Sequence, residues 1–228
     1  MAIIHKTSMN PGKLELLAAW LPGRPWYLAA GRPPEPARAG GFRLDDPQGE
    51  VGIEFMVLTD TAGERPVTYH LPVTYRGAPL EGADAGLIGT SEHGVLGRRW
   101  VYDGAHDPVC VDRLLALIQG RAQAQHQSVS NTPEPSVTAV YAGPEVAEFP
   151  ADELPLVADG PGGTEVLLPG GARLEVTRVL RPADAAPGSD AGPEGLLAGW
   201  SAPDGAAHRG VFASLSFGPP APDARIER

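Results

Sequence analysis

Lysine is nearly missing from this chain. Only two of its 18 basic residues are lysines, Lys6 and Lys13, and none follows position 13. That excludes a Schiff-base, phosphate-clamping or general-base lysine from the body of the protein. Cysteine is just as scarce: Cys110 stands alone, so no internal disulfide can form. Long apolar runs are absent too. The longest, Leu16 to Leu21, has six residues, against the ~20 that a membrane-spanning helix needs. The N-terminus has no apolar stretch of signal-peptide length, so the expected location is the cytoplasm, with no membrane association. Basic stripes are lacking as well. The net charge is −10, and the acidic excess lies mostly after residue 128, which argues against a nucleic-acid partner.

Glycine and proline, at 29 and 25 of 228 residues, are plentiful instead. Together they make roughly 24%, just below the range where low-complexity disorder is expected. A hydrophobic fraction of 42% suffices for a packed core. The composition therefore predicts a folded, loop-rich protein.

The patterning predicts an α+β fold in two parts. Residues 1–128 read as an antiparallel sheet packed with two helices. Gln127–Ser136 has linker composition, with the linker proper at 129–136. Residues 137–217 read as a small antiparallel β domain of five strands, and 218–228 as a disordered tail. In the first part, residues 2–6 suit a short strand. Asn10-Pro11 reads as a helix start, with Leu14, Leu17, Ala18 and Leu21 as its buried stripe. Val51, Ile53, Phe55 and Val57 alternate along one strand. In the next, Val67 to Tyr75 alternate with Thr68, His70, Pro72 and Thr74, which predicts one wet face. Pro72 argues for an edge or a bulge. Residues 40–45 and 98–103 are further strands. Asp107-Pro108 caps the best helix, whose stripe is Val111, Leu114, Leu115, Ile118 and Ala122; Leu115 should pack on the strand carrying Phe55 and Val57. In the second part, Glu165–Leu168 and Ala172–Val179 read as a hairpin, with strands at 137–141, 196–200 and 210–217, and 182–193 as a mobile loop.

Chemically suggestive groups are few, and each has a plainer reading. Ser91-Glu92-His93 could serve a small hydrolase, but the nucleophile-elbow spacing is missing, so turn chemistry is the expectation. Asp103, His106 and Asp107 carry metal-ligand atoms; capping and turn support explain them without a metal. His70 is expected to be exposed. Asp45, Asp46 and Glu50 form an acidic turn whose adjacent carboxylates point apart, a poor pair for glycoside chemistry. Gly160–Gly163 lacks the ending of a phosphate loop. Trp26, Tyr27, Trp100 and Tyr102 are the candidate interaction surface, with core packing as the alternative. No catalytic, cofactor-binding or metal residue is assigned, and no cofactor is expected.

At Leu21-Pro22-Gly23-Arg24-Pro25-Trp26-Tyr27 the sequence resembles the N-terminal cap of actinobacterial maltokinases. The resemblance returns at Leu87-Ile88-Gly89 and at Trp100-Val101-Tyr102-Asp103-Gly104-Ala105-His106-Asp107-Pro108, and it covers roughly residues 1–128. It implies that a kinase body should follow, with an ATP-anchoring lysine, a catalytic-loop aspartate and metal ligands. Residues 129–228 carry none of these. The expectation is a stand-alone, non-catalytic cap-like module. It would bind or position a protein partner, kinase-like or another sugar-metabolic enzyme, in α-glucan, trehalose or sugar-phosphate metabolism. A small-ligand or saccharide-binding protein is the alternative, and a hydrolase built on Ser91 and His93 is the remote one.

Overall fold

The computed structural model describes residues 8–183 and 194–218. The strand expected at 2–6, most of the 182–193 loop and nearly all of the tail lie outside them. Among the described residues the strands form two antiparallel sheets. The first contains β1 (Met9–Asn10), β2 (Pro36–Leu44), β3 (Gly52–Asp60), β4 (Val67–Arg76), β5 (Leu87–His93), β6 (Gly97–Asp103) and β7 (Gln125–His126), in the order β1-β5-β6-β4-β3-β2-β7. The second contains β8 (Thr138–Val140), β9 (Leu156–Gly160), β10 (Gly163–Leu167), β11 (Ala172–Val176), β12 (Gly195–Ser201) and β13 (Ala207–Phe217), in the order β8-β12-β13-β11-β10-β9. Two short helices, α1 (Lys13–Trp20) and α2 (Pro108–Ile118), complete a sheet-rich α+β chain.

The period-2 pattern of β3 sets the layering. Ile53, Phe55 and Val57 point to one face, where they meet α2, including Leu115, and the inward side of the second sheet: Val166, Leu174, Leu196 and Phe212. Met56 and Leu58 point to the other face, against Leu17 and Leu21 of α1 and its extension, Trp26, Tyr69 and Leu71. Both faces of β3 are therefore buried, as the unbroken apolar run Phe55-Met56-Val57-Leu58 requires. The second sheet packs on the first through one continuous core, and β8 begins only two residues after the linker-like segment ends. That segment is itself tied down: Glu134 N–H donates to Ala124 O, and His126 N–H to Thr132 O.

Local signals in the sequence placed most elements. Asp107 caps α2, accepting from Val109 N–H at 3.0 Å, with Pro108 in the first turn. The helix stops earlier than its apolar stripe suggests. Gly120, at φ +74°, takes the left-handed position; its N–H bonds Leu117 O, and Arg121 N–H bonds Ala116 O. These two bonds close a Schellman motif, for which glycine has no Cβ penalty.

Three expectations need correction. α1 starts at Lys13 with Gly12 as its N-cap, because Asn10 is committed to pairing with Glu92 in β5. Ser91 lies in that strand, not in a turn; it is buried, and its hydroxyl donates to Pro11 O at 2.7 Å. The supposed wet face of β4 is sealed, with His70 and Thr74 both 0% exposed. Pro72 has a clear role in this sealing. The β6 ladder covers β4 only from Val73 onward. Further up the same edge, His70 N–H donates to Arg178 O and Leu180 N–H to Thr68 O. Pro72, which has no N–H to offer, divides the β4 edge between β6 and residues 178–180.

The Ser91 hydrogen bond gives a modest prediction. Ser91→Ala removes the donor to the half-buried Pro11 carbonyl, at a cost of about 1 kcal/mol. Thermal denaturation should show the midpoint falling by roughly 2–4 °C. A shift beyond about 10 °C would mean that Ser91 does more than tether the α1 leader to β5.

Candidate functional site

The α1 face of the first sheet is only partly covered. In front of the α1 N-terminus lies a cleft of about 940 Å³, lined by α1, β2–β4, the 46–52 turn and the β5–β6 connection. Its size suits a small-molecule site, typically about 300–1,000 Å³. At its floor stands Glu54, with 4% exposure. Four elements converge on it. Gln127 Nε2 donates at 2.8 Å, Tyr75 Oη at 2.8 Å and Arg38 Nη2 at 3.5 Å, while Lys13 Nζ forms an ion pair with Oε2. Burial alone would raise the Glu54 pKa, but the Lys13 ammonium, the Tyr75 hydroxyl and Arg38 outweigh it and hold the carboxyl below its usual range. The same burial and the Glu54 charge push the Tyr75 hydroxyl well up. Gly41 is what lets Gln127 come so close. A Cβ there would lie 2.3 Å from Phe55 O and 3.0 Å from Gln127 Nε2, at φ +136°.

A second polar group is enclosed between the sheets. Arg178, fully buried, donates to Asp103 Oδ2 at 2.6 Å and to Thr164 Oγ1 at 2.7 Å, and its guanidinium sits 4.9 Å from the Trp26 ring. Thr164 in turn donates to Asp159, which also accepts from Trp26 Nε1 at 3.2 Å. This network ties the Trp26 segment and β6 to β9, β10 and the strand exit after β11. Its groups bond one another, so it is a structural tie.

The residues singled out from sequence are scattered. Trp26, Tyr27 and Tyr102 are buried in the core and Trp100 is half-buried, so these four do not form an exposed aromatic surface. Trp26 and Tyr27 belong to the core on the α1 face of the sheet, and Tyr102 Oη accepts from Leu80 N–H. His93 Nδ1 accepts from Val95 and Leu96 N–H, and Ser91 is spent on Pro11. Asp103 is held by Arg178 and Ala105 N–H. Asp107 accepts from Nε and Nη2 of Arg76, at 2.7 and 2.6 Å, and from the Thr74 hydroxyl. Asp46 accepts from three N–H groups of its own turn. Among the described residues no cluster of three or more His, Cys, Asp or Glu is placed to hold a metal. No described helix is long and apolar enough to cross a membrane. Sequence reasoning missed Glu54, although its place in phase with Met56 and Leu58 on a strand apolar on both faces marks it as buried.

Residues 20–107 match the maltokinase N-terminal cap domain. The chain carries a maltokinase-cap-like domain. The match begins at the last residue of α1, takes in β2–β6, and ends on the Asp107 cap of α2. The Glu54 cleft is built around cap-like strands, closed by Lys13 from before the matched segment and Gln127 from after it. The second sheet lies outside the match. No curated protein matches the chain.

Proposed function

We propose that this chain is a non-catalytic cap-like module that binds or positions a partner enzyme of α-glucan, trehalose or sugar-phosphate metabolism in the cytoplasm. One observation carries the reading. The residues that follow the cap-like segment fold into α2 and an antiparallel sheet, and both are used up in covering the cap-like sheet. They contribute structure to the cap and no lysine for a nucleotide. The one lysine within the described residues, Lys13, lies at the start of α1, before the matched segment. Calorimetric titration with Mg-ATP should therefore give no heat of binding, and incubation with maltose and ATP no phosphorylated sugar. Binding at micromolar Kd, or a phosphorylated product, overturns the non-catalytic reading. The partner reading is tested by affinity capture from the native host. A sugar-metabolic enzyme should be enriched, and should rebind the purified chain as a purified protein; failure to rebind rejects it.

The cleft supports a second reading, a small-ligand or saccharide-binding protein. Four separate chain segments converge on a buried carboxylate beside an open volume of about 940 Å³, and a purely structural ion pair needs no such space.

A further inference from the structure

We propose that the Glu54 cleft binds a small, hydroxyl-rich organic anion of the sugar-phosphate type. This inference rests on the ligand-binding reading and specifies its chemistry.

The balance of unused donors and acceptors carries the argument. The carboxylates deep in the cleft are engaged. Glu54 receives four side-chain donors, and Asp46 is turned into its own loop by three N–H groups. The cations keep donors in hand. The Lys13 ammonium has three hydrogens and is about one-third exposed; Arg38 makes one long bond from a side chain 44% exposed. Arg43 is held only through Nε, to His126 O, and its Nη2 is buried without an acceptor. Arg99 bonds Leu96 O through Nη2, while its Nε has no acceptor. Turning either guanidinium toward a ligand therefore sacrifices at most one bond. A wall of spare guanidinium and ammonium donors fits an oxyanion. The α1 N-terminus adds partial positive charge at the same wall, offset by the Glu15 carboxylate, which accepts from Gly12 N–H.

A bare oxyanion does not complement the whole cleft. Arg43 on β2 and Arg99 on β6 are three strand steps apart, roughly 14 Å across the sheet, more than one phosphate can span. Exposed Glu15 and Glu50 lie on the lining and favour hydroxyl donors over further negative charge. An anionic group at one end and hydroxyls along the rest satisfy both demands.

The test is calorimetric titration of the full chain with three probes at low salt: glucose 1-phosphate, maltose and inorganic phosphate. The expected order is glucose 1-phosphate tightest, with affinity falling as salt rises. Arg38→Gln, which keeps an amide donor beside Glu54, should weaken it about tenfold, as loss of a charge-assisted contact does. Arg43→Gln should act likewise, and a loss of that size in both variants with intact melting places the anion near β2. Maltose binding as tightly as glucose 1-phosphate overturns the anionic inference while the ligand-binding reading stands. Inorganic phosphate binding equally tightly overturns the hydroxyl requirement. No binding by any probe overturns the inference and the ligand-binding reading together.

Discussion

Replacing Arg178 by methionine should cost about 3–5 kcal/mol of stability, the loss typical when one partner of a buried ion pair is removed. Asp103, at 1% exposure, then keeps a carboxylate with no counter-charge and only the Ala105 N–H as donor. Thr164 loses the donor that its hydroxyl accepts. Domains have only ~5–15 kcal/mol in total, so this single change removes a large share. For a chain of this length each kcal/mol moves the midpoint by about 2–4 °C, so Arg178→Met should melt roughly 6–20 °C lower. The double variant Arg178→Met with Asp103→Leu should recover much of the loss, since replacing both partners by apolar groups removes the uncompensated charge. Denaturant melts of the four proteins in that cycle decide it. A single variant as stable as the parent would mean that Arg178 does not hold the second sheet to the cap-like strands.

Arg178 also shows how much of the fold is legible in sequence. The β3–β4 and β10–β11 hairpins, the Asp107 cap and the stripe of α2 were readable because each depends on neighbours within a few residues. The partners that bury Arg178, His70 and Glu54 lie up to 152 positions away, the separation of Trp26 from Arg178. Nothing local in Thr68-Tyr69-His70 reveals that residues 178–180 will pair along the β4 edge and that Phe212 will close over the imidazole. Part of the signal was there all the same. Leu174, Val176, Arg178 and Leu180 share one period-2 phase, and its other members are all buried. An arginine in phase with core positions is a buried arginine in need of a carboxylate.

The same kind of reading recasts the aromatics. Trp26 and Tyr69 looked like candidates for surface and core in turn, and the structure uses both as packing with polar anchors. Trp26 Nε1 reaches Asp159, and Tyr69 Oη accepts from Leu28 N–H at 3.0 Å. Large aromatics are few here, 6% of the chain, so most are spent on filling its two cores. The Glu54 cleft stays open to solvent, and the chemistry at its floor came from residues that no sequence motif brings together.

His70 should make the protein lose stability in mild acid. The ring lies between Phe55, 5.8 Å away, and Phe212, 4.6 Å away, and is fully buried. Its Nδ1 is 3.0 Å from Thr177 O, a pure acceptor, so Nδ1 carries a hydrogen. Burial, with the Arg178 guanidinium next in importance, pushes the pKa from 6.5 down to about 3, against weaker opposing pulls from the Thr177 carbonyl and Asp103. In the unfolded chain the imidazole titrates near 6.5, so between those values the unfolded state binds the extra proton. Stability therefore rises with pH through this window: the His70 contribution is complete above pH 6.5 and is lost as pH falls toward 3. One proton corresponds to about 1.4 kcal/mol per pH unit, so lowering the pH from 6.5 to 4.5 should cost about 2–3 kcal/mol. Glu54 adds to the loss only further down, as pH falls below 4.5 and its carboxyl takes a proton. His70→Phe keeps a ring between Phe55 and Phe212, gives up the bond to Thr177 and abolishes the titration. Urea melts from pH 7.5 to 4.5 should then show the variant less stable than the parent at neutral pH, with the gap closing or reversing by pH 4.5. Parallel stability curves would show that His70 gains its proton without unfolding, and that the seal between the two sheets admits charge.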